Sequence, residues 1–168
     1  MICKLVGSLI LLFAGGYVSV AITRFERRRL RVLDGFLSLI YYIKGQIDCY
    51  AMPLPAIMAS ADPAVLAACL GLDMTTPLPT APFTAERPLS AMAQESRLYL
   101  EPEAERLLTT LTGELGATYR AEQVARCDHY LEALTEERRR LGDTLPARLR
   151  ATCTLCLCCA VCAAVLLW

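Results

Sequence analysis

The sequence predicts an all-α protein in which a cytoplasmic bundle of five to six helices lies between N- and C-terminal transmembrane helices. Three observations predict it. Two runs, Leu5 to Ile22 and Ala151 to Trp168, each pass 18 residues without a charged side chain. Between them, apolar residues recur at three- and four-residue steps, the spacing of one helix face. No stretch of useful length alternates apolar and polar residues as a half-buried strand does.

The first run sets the first element. Eighteen residues is the lower limit for a bilayer core of about 30 Å at about 1.5 Å rise per residue. The chain then divides into a span over 1–23, a middle segment over 24–150 and a second span over 151–168. A signal peptide is the competing reading of Met1 to Ala21, with Ser19-Val20-Ala21 as a small-residue cleavage site. The run is longer than a usual signal core, and its positive charge follows it instead of preceding it.

Arg24 to about Ala51 reads as a helix continuing out of that span. Leu30, Leu33, Leu37, Ile40 and Ile47 keep helical spacing, with Phe36, Ile43 and Tyr50 beside them. So wide an apolar face must pack against a partner. Gly35 and Gly45 each weaken the helix by up to about 1 kcal/mol relative to Ala, so packing has to hold it.

Pro53-Leu54-Pro55 stops this helix and opens a short one from Leu54 to about Ser60, because proline suits a first helical turn. Asp62-Pro63 pairs an N-cap with a first-turn proline. The helix it starts, Ala64 to Leu70, ends at Gly71. Leu72 to Phe83 holds Pro77, Pro79 and Pro82 and reads as a loop. Thr84 caps a helix running to about Leu98. Glu101-Pro102-Glu103 opens another that reaches Leu115, with glutamates at the positive end of its dipole, and Gly116 ends it.

Thr118 caps a last long helix, Tyr119 to about Leu141, which Gly142 closes. Val124, Tyr130, Leu131, Leu134 and Leu141 supply its core-facing stripe. Glu122 with Arg126, and Glu136 with Arg140, form pairs at four-residue spacing, each worth a few tenths of a kcal/mol.

Arginine sets the orientation. Arg24, Arg27, Arg28, Arg29 and Arg31 follow the first span, and Arg138, Arg139, Arg140, Arg148 and Arg150 precede the second. The outer flanks hold only Lys4. Positive flanks stay in the cytoplasm, so the middle segment is expected there and both termini outside. Trp168 suits the far interface.

Nine cysteines, five of them inside the second run, do not form the even framework of a secreted scaffold. A reducing cytosol fits them. Cys69 and Cys127, in the middle segment, are the expected labelling reporters of its side. The chain is 55% hydrophobic with zero formal net charge, so no global field attracts nucleic acid.

Candidate chemistry is sparse. Cys153, Cys156, Cys158, Cys159 and Cys162 contain overlapping CxxC pairs, Cys153 with Cys156 and Cys156 with Cys159 among them, and four thiolates can bind zinc. A straight helix fans these residues around its circumference, however. The alternative is that cysteine acts here as a small apolar residue, like Ala160, Ala163 and Ala164, and lets helices approach. His129 is the lone histidine and has no nucleophile signature beside it. Gly15-Gly16 lies inside the first run and lacks the Lys-Ser/Thr of a phosphate loop. These residues identify no catalytic group, metal ligand or cofactor, and the reading is of a non-enzymatic protein. The candidate contacts for partners or anionic lipid are Arg27, Arg28, Arg29, Arg138, Arg139 and Arg140, together with the face around Glu122, Arg126 and Glu136.

The order of these features resembles the stage III sporulation protein AB family of endospore-forming bacteria. The resemblance rests on the first span and its arginines, then Leu30, Leu33, Leu37 and Ile40, then Gln46-Ile47 and Pro53-Leu54-Pro55. Leu98, Glu101 to Leu108, Leu115-Gly116, Gln123, Leu141-Gly142 and the last span complete it. The resemblance implies a membrane component on the mother-cell side of a channel to the forespore, in a secretion-like complex. That family is similar to the platform protein of type II secretion. The implied partners are a secretion-type ATPase, stage III sporulation protein AA, and other membrane proteins of the stage III sporulation A complex. A thiol-dependent metal or redox protein and a simple membrane anchor are the other readings.

Overall fold

The computed structural model describes residues 2–50, 52–72, 89–116 and 119–166, with the side chains of 2–6, 8–12 and 164–166 outside that description. Among these residues the chain forms six helices and no strand: α1 (Ile2–Tyr50), α2 (Leu54–Ser60), α3 (Pro63–Cys69), α4 (Leu89–Glu95), α5 (Pro102–Glu114) and α6 (Arg120–Leu166). The fold class is all-α, as expected. The helices fall into two compact units, one of Met1–Arg27 with Leu141–Trp168 and one of Arg28–Arg140.

The larger unit is built on α1. Its buried face is Val32, Leu33, Phe36, Leu39, Ile40, Ile43 and Ile47. That face is turned slightly from the expected one: Leu30 and Leu37 are half-buried and Tyr50 is exposed. Short helices close over it with Ile57, Leu66, Leu89 and Met92, and the long ones with Leu108, Leu111, Cys127, Tyr130 and Leu134.

The punctuation residues act as their chemistry requires. Pro55 sits in the first turn of α2 and Pro63 in the first turn of α3. The Asp62 carboxylate accepts the Ala64 N–H at 2.8 Å. At the other end of α3, Leu72 N–H reaches the Ala67 carbonyl and Gly71 N–H the Ala68 carbonyl, both at 3.0 Å. This is a Schellman stop, and it needs the left-handed conformation that Gly71 adopts at φ 67°. Val32 and Tyr99 pack around that glycine.

Gly35 has a role beyond weakening a helix. A methyl group there would lie 2.7 Å from the Cys69 backbone nitrogen and 2.9 Å from the Ala68 carbonyl carbon. The absence of a side chain is what lets α1 touch the backbone of α3.

Three expectations are corrected. The helix expected to reach Leu98 ends at Glu95, and 96–99 form a turn. There the buried Ser96 hydroxyl donates to the Cys69 carbonyl, left over at the end of α3. Gly142 does not close the last helix, since α6 runs through it to Leu166 with Pro146 inside. Glycine lowers helix stability but removes no hydrogen bond. The Pro146 ring crowds the carbonyl four residues back, which is that of Gly142. Finally, Cys69 and Cys127 are buried and Cys49 is exposed, so only the last can report on solvent. Leu72 is irregular, whereas 73–83 of the expected loop and the caps Thr84 and Thr118 lie outside the described residues.

In the smaller unit, α1 and α6 meet through small side chains. A methyl group on Gly15 would lie 3.0 Å from the Ala160 methyl. Ser19 Oγ donates to Cys153 Sγ. Cys153 and Cys156 are half-buried, while Cys158, Cys159 and Cys162 are exposed. The cysteines therefore fan around α6, and two of the five line its contact with α1. Small residues at a helix crossing are what close approach in a lipid setting uses. Among the described residues, one helix, α6, is long and apolar enough to cross a membrane, and most of its apolar window is exposed. In the first expected span, the side chains of 1–6 and 8–12 lie outside the described residues.

Candidate functional site

Two grooves open on the larger unit. One, of about 380 Å³, lies between α1 and α3 and is lined by Gly35, Ser38, Ala64 and Val65, with Arg31 and Asp34 on it. The other, of about 460 Å³, is formed where α1 ends and α6 begins. Its wall is Ile47, Met52, Pro53, Leu54 and Pro55 on one side and Leu115, Gly116, Arg120 and Gln123 on the other.

Local structure explains the second groove. The two prolines turn the chain away from α1, and Gly116 at φ 91° turns it away from α5. Both turns leave apolar side chains uncovered. Met52, in its wall, and Tyr50 and Tyr119, near the lining segments in sequence, are exposed. Arg120 reaches Asp48 at 3.3 Å across the gap, with both side chains more than half exposed. The wall mixes apolar side chains, Ile47, Met52, Leu54 and Leu115, with the polar Arg120 and Gln123, and methionine and arginine are enriched at protein-binding surfaces. The segments that line it include Ile47, Pro53-Leu54-Pro55, Leu115-Gly116 and Gln123. These are separate in sequence, and only the fold brings them together.

The expected contact residues are placed as follows. Arg27 is exposed. The Arg28 guanidinium lies 5.9 Å from the centre of the Tyr99 ring and donates to its hydroxyl at 3.4 Å. Arg29 donates to the Tyr99 carbonyl at 3.4 Å and to Glu101 at 3.1 Å. Arg140 donates to the same Glu101 carboxylate at 3.1 Å and to Glu137 at 2.8 Å. Arg138 holds Asp34 of α1 through two hydrogen bonds, at 2.8 and 3.4 Å. The bond to Asp34 raises the Arg138 pKa further.

Glu136 pairs with Arg139, not with the expected Arg140, at 3.1 Å on both oxygens. That contact holds its carboxyl below the usual range. Glu122 and Arg126 make the expected pair at 2.8 Å, and Arg126 also reaches Glu114 at 3.0 Å. Of the junction arginines, Arg29 and Arg140 meet at Glu101 and Arg138 binds Asp34, whereas Glu122 and Glu136 pair along α6 and Arg126 also reaches α5 at Glu114. His129 is exposed, its ring edge-on to Tyr130.

Glu101, Asp34 and the groove were not singled out from sequence. The clues were Glu101 beside a helix-starting proline and the short motifs that line the groove. The two buried thiols are chemically quiet. Burial pushes the Cys69 thiol up to about 12 and raises that of Cys127, which keeps both protonated and unreactive.

A family model, stage III sporulation protein AB, matches residues 4–168. No curated protein and no solved structure matches the chain.

Proposed function

Because the chain belongs to the stage III sporulation protein AB family, we propose that it is a non-enzymatic platform of a secretion-like sporulation complex. In this reading both ends cross the mother-cell membrane and the Arg28–Arg140 unit is cytoplasmic. That unit couples the ATPase stage III sporulation protein AA to the membrane proteins of the stage III sporulation A complex. The observation that carries the reading is continuity: α1 and α6 each run unbroken from an apolar end segment into the compact helical unit. Two helical tethers remove most of the rotational freedom a single linker would leave. A domain so held suits a fixed docking surface, whose partner then loses less entropy on binding.

The groove between Leu54 and Leu115 is the best docking surface for the ATPase. Arg29, Arg138 and Arg140 brace the helices through Glu101 and Asp34. Their arrangement favours an internal and lipid-facing role over capture of a protein. The test is co-purification. The full chain in detergent, mixed with the purified ATPase, is expected to elute with it as one species. Separate elution across salt concentrations would leave the simple anchor in its place.

A further inference from the structure

The groove where α1 ends and α6 begins carries one charge in its wall. Among the described residues that line it, Arg120 is the single charged one. The wall from Met52 to Pro55 offers chiefly apolar surface. Pro53 and Pro55 have no N–H to donate, and the Pro53 carbonyl already accepts the Ala56 and Ile57 N–H groups. A segment that fills this groove therefore meets carbon on the α2 side and a cation on the α6 side.

That cation is engaged, but loosely. Among the described residues its hydrogen-bonded partner is Asp48, through one bond at 3.3 Å. Arg138, by contrast, grips Asp34 through two. The Arg120 and Asp48 side chains are 55% and 58% exposed, so water screens the pair and it adds little to stability. Asp48 is no part of the groove wall, and it lies one helical turn from a second cation, Lys44. Giving up Arg120 thus leaves it near positive charge. Two other carboxylates close by in sequence are already held: Arg126 binds Glu114 at 3.0 Å and Glu122 at 2.8 Å.

We propose that Asp48 stands in for a carboxylate of the partner: the ATPase docks through a segment that sets an apolar side chain beside an aspartate or glutamate, and that acid takes Arg120 from Asp48. The proposal rests on the reading of this groove as the docking surface. The exchange replaces one charge pair by another, and the new pair forms where the partner excludes water, which strengthens it. Its effect is on specificity. A neutral segment finds no acid-bearing contact with Arg120, and a basic one is repelled by it.

Two charge-removing variants of the full chain in detergent test the exchange, Arg120→Gln and Asp48→Asn. Binding of the purified ATPase is titrated for each, with the unfolding midpoint as the check on folding. Arg120→Gln is expected to weaken capture about fivefold or more. Asp48→Asn is expected to tighten it about twofold or more, because the competitor is gone. The double variant is expected to match Arg120→Gln. Weakening by both single variants, or a change in only one of them, would overturn the exchange, since the pair then shapes the groove without competing. Tightening by Arg120→Gln with weakening by Asp48→Asn would reveal a basic partner segment and overturn it as well. No effect of either, with capture weakened by Met52→Ala, would remove the acid and leave the groove as the docking surface. No effect of any of the three would take docking away from the groove, and the exchange with it.

Discussion

Arg29 of α1 and Arg140 of α6 share one carboxylate: each donates to a different oxygen of Glu101, both at 3.1 Å. The three residues tie the first and last helices of the larger unit to the start of α5. The Arg29 and Glu101 side chains are only 14% and 25% exposed, so water screens this part of the cluster weakly. Glu101→Gln leaves two guanidinium groups facing each other over a neutral amide. It is expected to cost about 1–3 kcal/mol. Arg140→Ala, at an exposed position with Glu137 also nearby, is expected to cost under about 1 kcal/mol. Thermal unfolding of the full chain in detergent checks the order. Equal effects would mean that Arg29 does not depend on the bridge.

Gly35 and Gly45 look alike in sequence and are not alike in the fold. A methyl group at Gly35 meets the backbone of α3 at 2.7 Å, while at Gly45 nothing lies within 4 Å. Gly35→Ala must push two helices apart and is expected to destabilise by about 2–3 kcal/mol. Gly45→Ala is expected to be neutral or stabilising by up to about 1 kcal/mol. Unfolding midpoints of the two variants separate these outcomes.

That pair shows what is legible in one dimension. Proline and glycine act locally, so the starts of α2, α3 and α5 and the stops at Gly71 and Gly116 could be read directly. A glycine's partner across the core cannot be read this way. Nor can the choice of Arg139 over Arg140 by Glu136, because three- and four-residue spacings both face along a helix. Gly142 misleads for a related reason. A glycine stops a helix only where the following backbone turns, and α6 does not turn there. The groove was illegible because Ile47, Leu54, Leu115 and Gln123 are brought together only by the fold.

The thiols give a test of topology and of alkaline stability. An impermeant maleimide at neutral pH is expected to label Cys49 in permeabilised cells and to spare it in sealed ones, with Cys49→Ser as the control. Cys69 and Cys127, being buried, stay unlabelled in both. The raised Cys69 pKa also has a sign in stability. Between the unfolded thiol's pKa, about 9, and the folded value of about 12, the folded chain holds a proton that the unfolded chain has lost. Stability therefore falls as pH rises through that window. Tyr130, raised first by desolvation and then by its bond to Glu114, contributes in the same direction. Cys69→Ala is expected to flatten the decline between pH 9 and 11. An unchanged slope would show that the thiol titrates alike in both states.

The groove prediction separates docking from bracing. Met52 lines it and Tyr119 precedes its Arg120 in sequence; both are exposed, and neither belongs to the buried core. Tyr119→Ala and Met52→Ala are therefore expected to leave the unfolding midpoint within about 1 °C, since exposed substitutions change stability little. If the ATPase uses this groove, an aromatic at its edge contributes about 1–2 kcal/mol to capture, a loss of roughly 5- to 30-fold in affinity. Arg138→Ala has the opposite profile. It removes the guanidinium from Asp34, loosens α6 from α1 by under about 1 kcal/mol, and changes capture little. Binding of the purified ATPase to each variant, read beside its midpoint, distinguishes the two roles. Capture unchanged by Tyr119→Ala but abolished by Arg138→Ala in a folded protein would move the docking surface from the groove to the arginine junction.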